Sequence, residues 1–180
     1  MIENNILNDS GIHIKHNFFS SDILKSINDT FDKKDFKETY QPEEIFYGNR
    51  YQAYPCYQKR DNDIIFNYIK SYIENIVKKK FELLVVLRKV YSEELLKSKV
   101  NTKYGLKHKD GSDLAGVISL DHTVDGGTAF YYNQCDNYPD IEIGSWPNRM
   151  ILYKGNRWHS SCHDFSYKVR KNICFFIDYK

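Results

Sequence analysis

Three residues in the second half of the chain have the types and the spacing to hold one metal ion. His108-Lys109-Asp110 presents an imidazole and a carboxylate two positions apart. On an extended chain residues i and i+2 point to the same side, so both groups reach one point in space. His159 follows 51 positions later (159 − 108), in Asn156-Arg157-Trp158-His159-Ser160 at the end of a predicted strand. Two imidazoles and one carboxylate cover one face of a metal and leave the other open. That is the facial triad suited to non-haem Fe(II), whose open positions take a 2-oxoacid and O2. An H-x-D is common by chance, and His108 alone reads as a solvated loop histidine. Arg170, 11 positions after His159 (170 − 159), changes the balance, because it begins the last predicted strand. A guanidinium there can pair bidentately with a carboxylate inside a barrel. Asn172 has the parity to add a hydrogen bond from the same side.

The order of these features resembles a known family. H-x-D, then Gly126-Gly127-Thr128-Ala129-Phe130, then Gly155-Asn156-Arg157 with His159, then Arg170, is similar to the 2-oxoglutarate/Fe(II) dioxygenase superfamily over about residues 81 to 178. The closest likeness is to compact members related to prolyl hydroxylases. The resemblance implies a double-stranded β-helix (jelly-roll) core. It implies His108, Asp110 and His159 as iron ligands, and Arg170 as the partner of the far carboxylate of 2-oxoglutarate. Tyr104 is the candidate for the tyrosine that often touches 2-oxoglutarate upstream of the H-x-D. The implied reaction is hydroxylation of a C–H bond in a peptide or small molecule, using O2 and releasing succinate and CO2. Halogenating relatives replace the carboxylate with a small residue, so Asp110 points to hydroxylation.

Two other readings compete. One is a jelly roll without catalysis that serves as a binding module, against which the four retained residues argue. The other is a cupin-like enzyme of another divalent metal, which needs His122 or His163 in the site. His163 and Cys162 form H-x-x-C-H with His159, but a zinc site needs a further pair of ligands. They read as loop residues, and His122 as exposed beside the Asp125-Gly126-Gly127 turn. Trp158 neighbours His159 but faces the other way, into packing.

The elements that must position these residues follow from periodicity. Ile12 to Phe19 alternates enough for a short strand, and Ser20-Ser21-Asp22 opens a helix carrying Ile23, Leu24, Ile27 and Phe31. Ile65, Ile69, Tyr72, Ile73 and Ile76 predict an amphipathic helix over Asp63 to Lys80. Five short β-branched or aromatic runs then follow, at 83–87, 115–120, 128–132, 149–153 and 173–177, bounded by Gly, Asn, Asp or Pro. Helices first and strands after predict an α+β fold, with N-terminal helices packed on one sheet of the jelly roll. A single domain over 1–180 is expected, helical to about residue 80. Residues 33 to 60 read as a long excursion broken by Pro42, Gly48 and Pro55. Its stretch from Tyr40 to Arg60 mixes aromatics with cations and is expected to border the mouth of the iron site.

Bulk properties narrow the function classes. A net charge of +2 is too small to argue for nucleic acid, which is the less favoured partner. No apolar run approaches the roughly 20 residues of a membrane helix, and the N-terminus lacks a signal-peptide layout. The expectation is a cytoplasmic protein whose four cysteines are free thiols.

Overall fold

The computed structural model describes residues 10–32, 36–38, 56–61, 63–98 and 102–180. In chain order the elements are β1 (Ile12–Lys15), α1 (Ser21–Asp32), β2 (Lys37–Glu38), β3 (Tyr57–Arg60), α2 (Ile64–Ile76), β4 (Phe81–Tyr91) and α3 (Ser92–Lys97). They continue with β5 (Leu114–Ser119), β6 (Gly127–Tyr131), β7 (Ile141–Gly144), β8 (Arg149–Lys154), β9 (Trp158–Cys162) and β10 (Val169–Tyr179). A seven-stranded sheet runs β1-β8-β5-β10-β4-β3-β2, and a three-stranded sheet runs β7-β6-β9. Every named pairing is antiparallel.

Strand alternation builds the layers. Val85 and Leu87 of β4, Leu114 and Ile118 of β5, Met150 and Leu152 of β8, and Ile173, Phe175 and Ile177 of β10 all face one way. They share a buried core with Ile27 and Phe31 of α1 and Ile65, Ile69 and Ile73 of α2. Each such side chain contributes about 1.5–3 kcal/mol on burial. Gly116 belongs to this packing, since a Cβ there would run into the Phe175 ring. The opposite parity, Ala115, Ile151 and Tyr153 together with Ile12, packs on Phe130 and Ile143 of the small sheet. The order of layers is therefore helices, large sheet, small sheet. The α+β expectation with helices on one sheet matches this arrangement.

The elements differ from expectation in instructive places. The second helix stops at Ile76 because Val77 turns extended and buried. Lys78, Lys79 and Lys80 thus lie beyond the helix, and Lys78 reaches back to its last turn, with Nζ 3.5 Å from Asn75 O. The run at 83–87 grows into an eleven-residue strand, paired along its whole length with β10. β7 and α3 were not anticipated, being four and six residues long. Of the expected excursion, residues 39–55 lie outside the described residues, while Tyr57–Arg60 pairs with β4 as a strand.

Candidate metal centre

His108 and His159 are brought together by backbone. An isolated antiparallel bridge joins them, His108 N donating to His159 O at 2.9 Å and His159 N to His108 O at 3.0 Å. Their rings stand 4.3 Å apart. Each ring is oriented by the same local device. His108 Nδ1 lies 2.9 Å from Leu106 O, and His159 Nδ1 lies 2.9 Å from Arg157 O. A carbonyl accepts the Nδ1 proton in each case, which leaves Nε2 as the lone-pair atom. Both Nε2 atoms turn toward Asp110, His159 at 3.3 Å from Oδ2 and His108 at 3.9 Å from Oδ1. One donor atom from each of the three residues falls within 4.8 Å of the others. Among the described residues no other group of three or more His, Cys, Asp or Glu meets that condition.

The surroundings favour the neutral, ligand form of His159. Burial, and secondarily the charge of His108, lower the pKa of His159 to about 4, so its imidazole is neutral near pH 7. Tyr153 rises from β8 beneath the pair. Its hydroxyl sits 3.3 Å from Asp110 Oδ2, to which it donates, and 3.2 Å from His159 Nε2. Burial pushes the phenol well above its ordinary range, so it stays a neutral donor. Sequence alone missed Tyr153; its signal was its parity with Ile151 on a strand ending near His159. His159 is the second residue of β9 rather than the residue after a strand. Trp158 points the other way, as expected. It packs with Ala129, Tyr131 and Cys162 on the outer face of the small sheet, with Lys109 Nζ 4.9 Å above its ring.

Arg170 is the second residue of β10. Nη1 donates to Cys162 O at 2.9 Å and Nη2 to Gly127 O at 3.1 Å, tying β10 to the small sheet. Its Nε is buried and has no hydrogen-bond partner in the protein. Asn172 is buried on the same face and lies 3.6 Å from Cys174 Sγ. Of the neighbouring lysines, Lys168 is exposed and Lys171 has the opposite parity, so neither enters this space.

Tyr104 does not fit the contact with 2-oxoglutarate that the resemblance implied. It bridges to Cys162 and packs with Tyr131 on the outer face of the small sheet. Its hydroxyl donates to Glu142 at 3.0 Å. The loop before the H-x-D follows the edge of β9, which carries Tyr104 away from the layer interior. Cys162 closes β9 and is buried rather than lying in a loop. His163 is buried and engaged with Ser161 Oγ at 2.8 Å and Thr102 O at 3.0 Å. His122 is exposed against Trp146. The two histidines that a cupin-like site would require are thus placed elsewhere.

The chain matches no protein-family model, and no curated protein is significantly similar to it in sequence. Solved structures are similar in fold. A prolyl hydroxylase from Trichoplax adhaerens, in complex with a hypoxia inducible factor peptide fragment, aligns with TM-score 0.70 at 13% identity, over 99% of this chain and 88% of that one. An oxidoreductase of the 2OG-Fe(II) oxygenase family from Burkholderia pseudomallei gives 0.65 at 12%, over 97% and 88%. HygX from Streptomyces hygroscopicus, with iron bound, gives 0.63 at 9%, over 99% and 86%. No helix among the described residues is long and apolar enough to cross a membrane. The likeness to these structures extends over nearly the whole length, and the fold of this chain is that of the 2OG-Fe(II) oxygenases.

Proposed function

We propose that this chain is an Fe(II)- and 2-oxoglutarate-dependent oxygenase of jelly-roll fold that hydroxylates a C–H bond in a peptide or small molecule. His108, Asp110 and His159 are its iron ligands, and Arg170 pairs with the far carboxylate of 2-oxoglutarate. The observation that carries the proposal is the convergence of two Nε2 atoms and one carboxylate, with both Nδ1 atoms tethered to carbonyls. Such tethers fix the tautomer and angle of metal-bound imidazoles. A neutral His159 needs no deprotonation before it binds a cation.

Iron with bound 2-oxoglutarate supplies the oxidising chemistry in such enzymes, and the protein's part is placement. His108, Asp110 and His159 would hold the metal by one face. Tyr153 holds Asp110 through its hydroxyl. Arg170 brings a buried, unpartnered Nε and a fixed positive charge. A dicarboxylate suits that position, because an isolated buried carboxylate costs several kcal/mol and a guanidinium offsets it. Substrate would approach from beside the triad. A cleft of about 450 Å³ is lined by Lys109, Lys154, Arg157, Trp158 and Tyr132 among others, and by none of the three ligands. Lys109, Arg157 and Trp158 are chain neighbours of the ligands.

Bound molecules of both kinds occur among the structural neighbours. The Trichoplax enzyme is in complex with a peptide fragment, and HygX has hygromycin B bound. The test is to load the protein with Fe(II) without oxygen and measure 2-oxoglutarate binding. Oxygen is then admitted and succinate measured, while candidate peptides and small molecules are screened by mass for a gain of one oxygen atom. Asp110→Ala should lower metal affinity by more than the 10- to 100-fold that follows loss of a group behind a ligand. Retention of metal and of succinate formation by that variant would sink the assignment.

A further inference from the structure

Arg88 stands on β4 directly across from Asn172 of β10. Its direction follows from alternation. Val85 and Leu87 belong to the helix-side core, so Val86 and Arg88 face the small sheet. In β10, Ile173 and Phe175 face the helices, which puts Arg170, Asn172 and Cys174 on the face that Arg88 shares. Arg170 pairs with Val90 and Arg88 with Asn172, so the two arginines are diagonal neighbours on adjacent strands. That relation spaces their backbones by about 7–8 Å, within reach of long side chains. Ser119 flanks Asn172 on the other side, and both are buried. A polar row thus crosses a face that is otherwise lined by Val86, Cys174, Val117 and Ile151.

The same space contains the candidate metal ligands. Tyr153 rises from the same face of the large sheet as Ile151, and its hydroxyl reaches Asp110 and His159. By register Arg88 and Arg170 stand on that face too, on β4 and β10. Two arginines thus share the face of the large sheet that carries the candidate ligands' support. Arg170 offers only part of its fork there, because Nη1 and Nη2 each already direct one N–H, at Cys162 O and Gly127 O. A carboxylate has about four lone-pair sites, more than one committed guanidinium can fill.

We propose, building on the oxygenase reading above, that Arg88 is a second arginine of the 2-oxoglutarate site. It clamps the far carboxylate together with Arg170, with Asn172 between them. The metal would then hold one carboxylate of the dianion and the two arginines the other. A 2-oxoacid without the far carboxylate has nothing for Arg88 to hold.

The test measures ligand binding to the Ni(II)-loaded full chain by calorimetry, with 2-oxoglutarate and with the monocarboxylate 2-oxobutyrate. Arg88→Gln should weaken 2-oxoglutarate by at least tenfold while leaving 2-oxobutyrate within about twofold. Arg88→Lys, which keeps the charge, should recover part of the loss. Thermal melts of both variants show whether they fold. Binding of 2-oxoglutarate by Arg88→Gln within twofold of the parent overturns the inference, and so does an equal loss for both ligands. If the parent binds nickel but not 2-oxoglutarate, the oxygenase reading itself falls, a result distinct from either.

Discussion

The protonation of His159 links the metal site to the stability of the whole fold. Its ring is buried, and its pKa falls from the ordinary 6.5 to about 4, through burial first and the charge of His108 second. A histidine with a depressed folded-state value binds protons more readily when unfolded. Between pH 6.5 and pH 4 the unfolded chain therefore gains protons that the folded one refuses, and stability falls as pH falls through that window. The whole difference amounts to about 3 kcal/mol, and the part lost between pH 7 and pH 5 to about 2 kcal/mol. The assay is urea unfolding of the metal-free protein at both pH values, repeated with His159→Gln. The variant lacks the titrating group, so its loss between pH 7 and pH 5 should be smaller by about 2 kcal/mol. NMR of the imidazole carbons gives the midpoint directly. Equal pH dependence in the two proteins, or a midpoint above 6 by NMR, would refute the reasoning.

Arg170→Ala should raise the 2-oxoglutarate concentration required by well over tenfold, since breaking a buried pair costs about 3–5 kcal/mol and this one is only partly exposed; nickel binding measured alongside should hardly change. Tyr153→Phe removes a hydrogen bond to a carboxylate, worth about 1.5–3 kcal/mol when well formed. The carboxylate keeps its charge, so metal affinity by titration should fall by only about three- to tenfold, and an unchanged affinity would deny Tyr153 its positioning role. Gly127→Ala would press a methyl on the Ile143 carbonyl between β6 and β7, at a position whose own carbonyl receives Arg170. It should cost about 1–3 kcal/mol, read as a lower melting temperature, with a weaker grip on 2-oxoglutarate as a secondary effect.

What could be read from sequence divides by the range of the interaction. The helices at Ser21–Asp32 and Ile64–Ile76 carry their own periodicity, and each expected strand run overlaps an observed strand. His108 and Asp110 were legible because i, i+2 geometry is local. His159 was legible through spacing along a familiar order, which also set Arg170 near the start of the last strand. Tyr104 misled because proximity in sequence to the H-x-D says nothing about which face of the small sheet the loop follows. β7 was too short to stand out from its polar surroundings. Arg88 was hidden for a different reason. In Leu83-Leu84-Val85-Val86-Leu87-Arg88-Lys89-Val90 both faces of the strand are apolar, so nothing marks Arg88 as interior and Lys89 as its opposite. Only the register with β10 decides it.

The bridge between His108 and His159 explains how the site can be organised before any metal arrives. The two histidines are held by reciprocal main-chain bonds, and their rings by carbonyls of the residues two before each. Neither restraint depends on side-chain rotamers alone. Asp110 lacks such a tether; the hydroxyl of Tyr153 reaches it from the opposite sheet. Tyr153 stays because its ring is locked against Phe130, with centroids 5.0 Å apart. The packing between the two sheets and the direction of the carboxylate are thus one interaction seen from two ends. A substitution that loosens Phe130 acts on Asp110 through Tyr153, without touching a ligand.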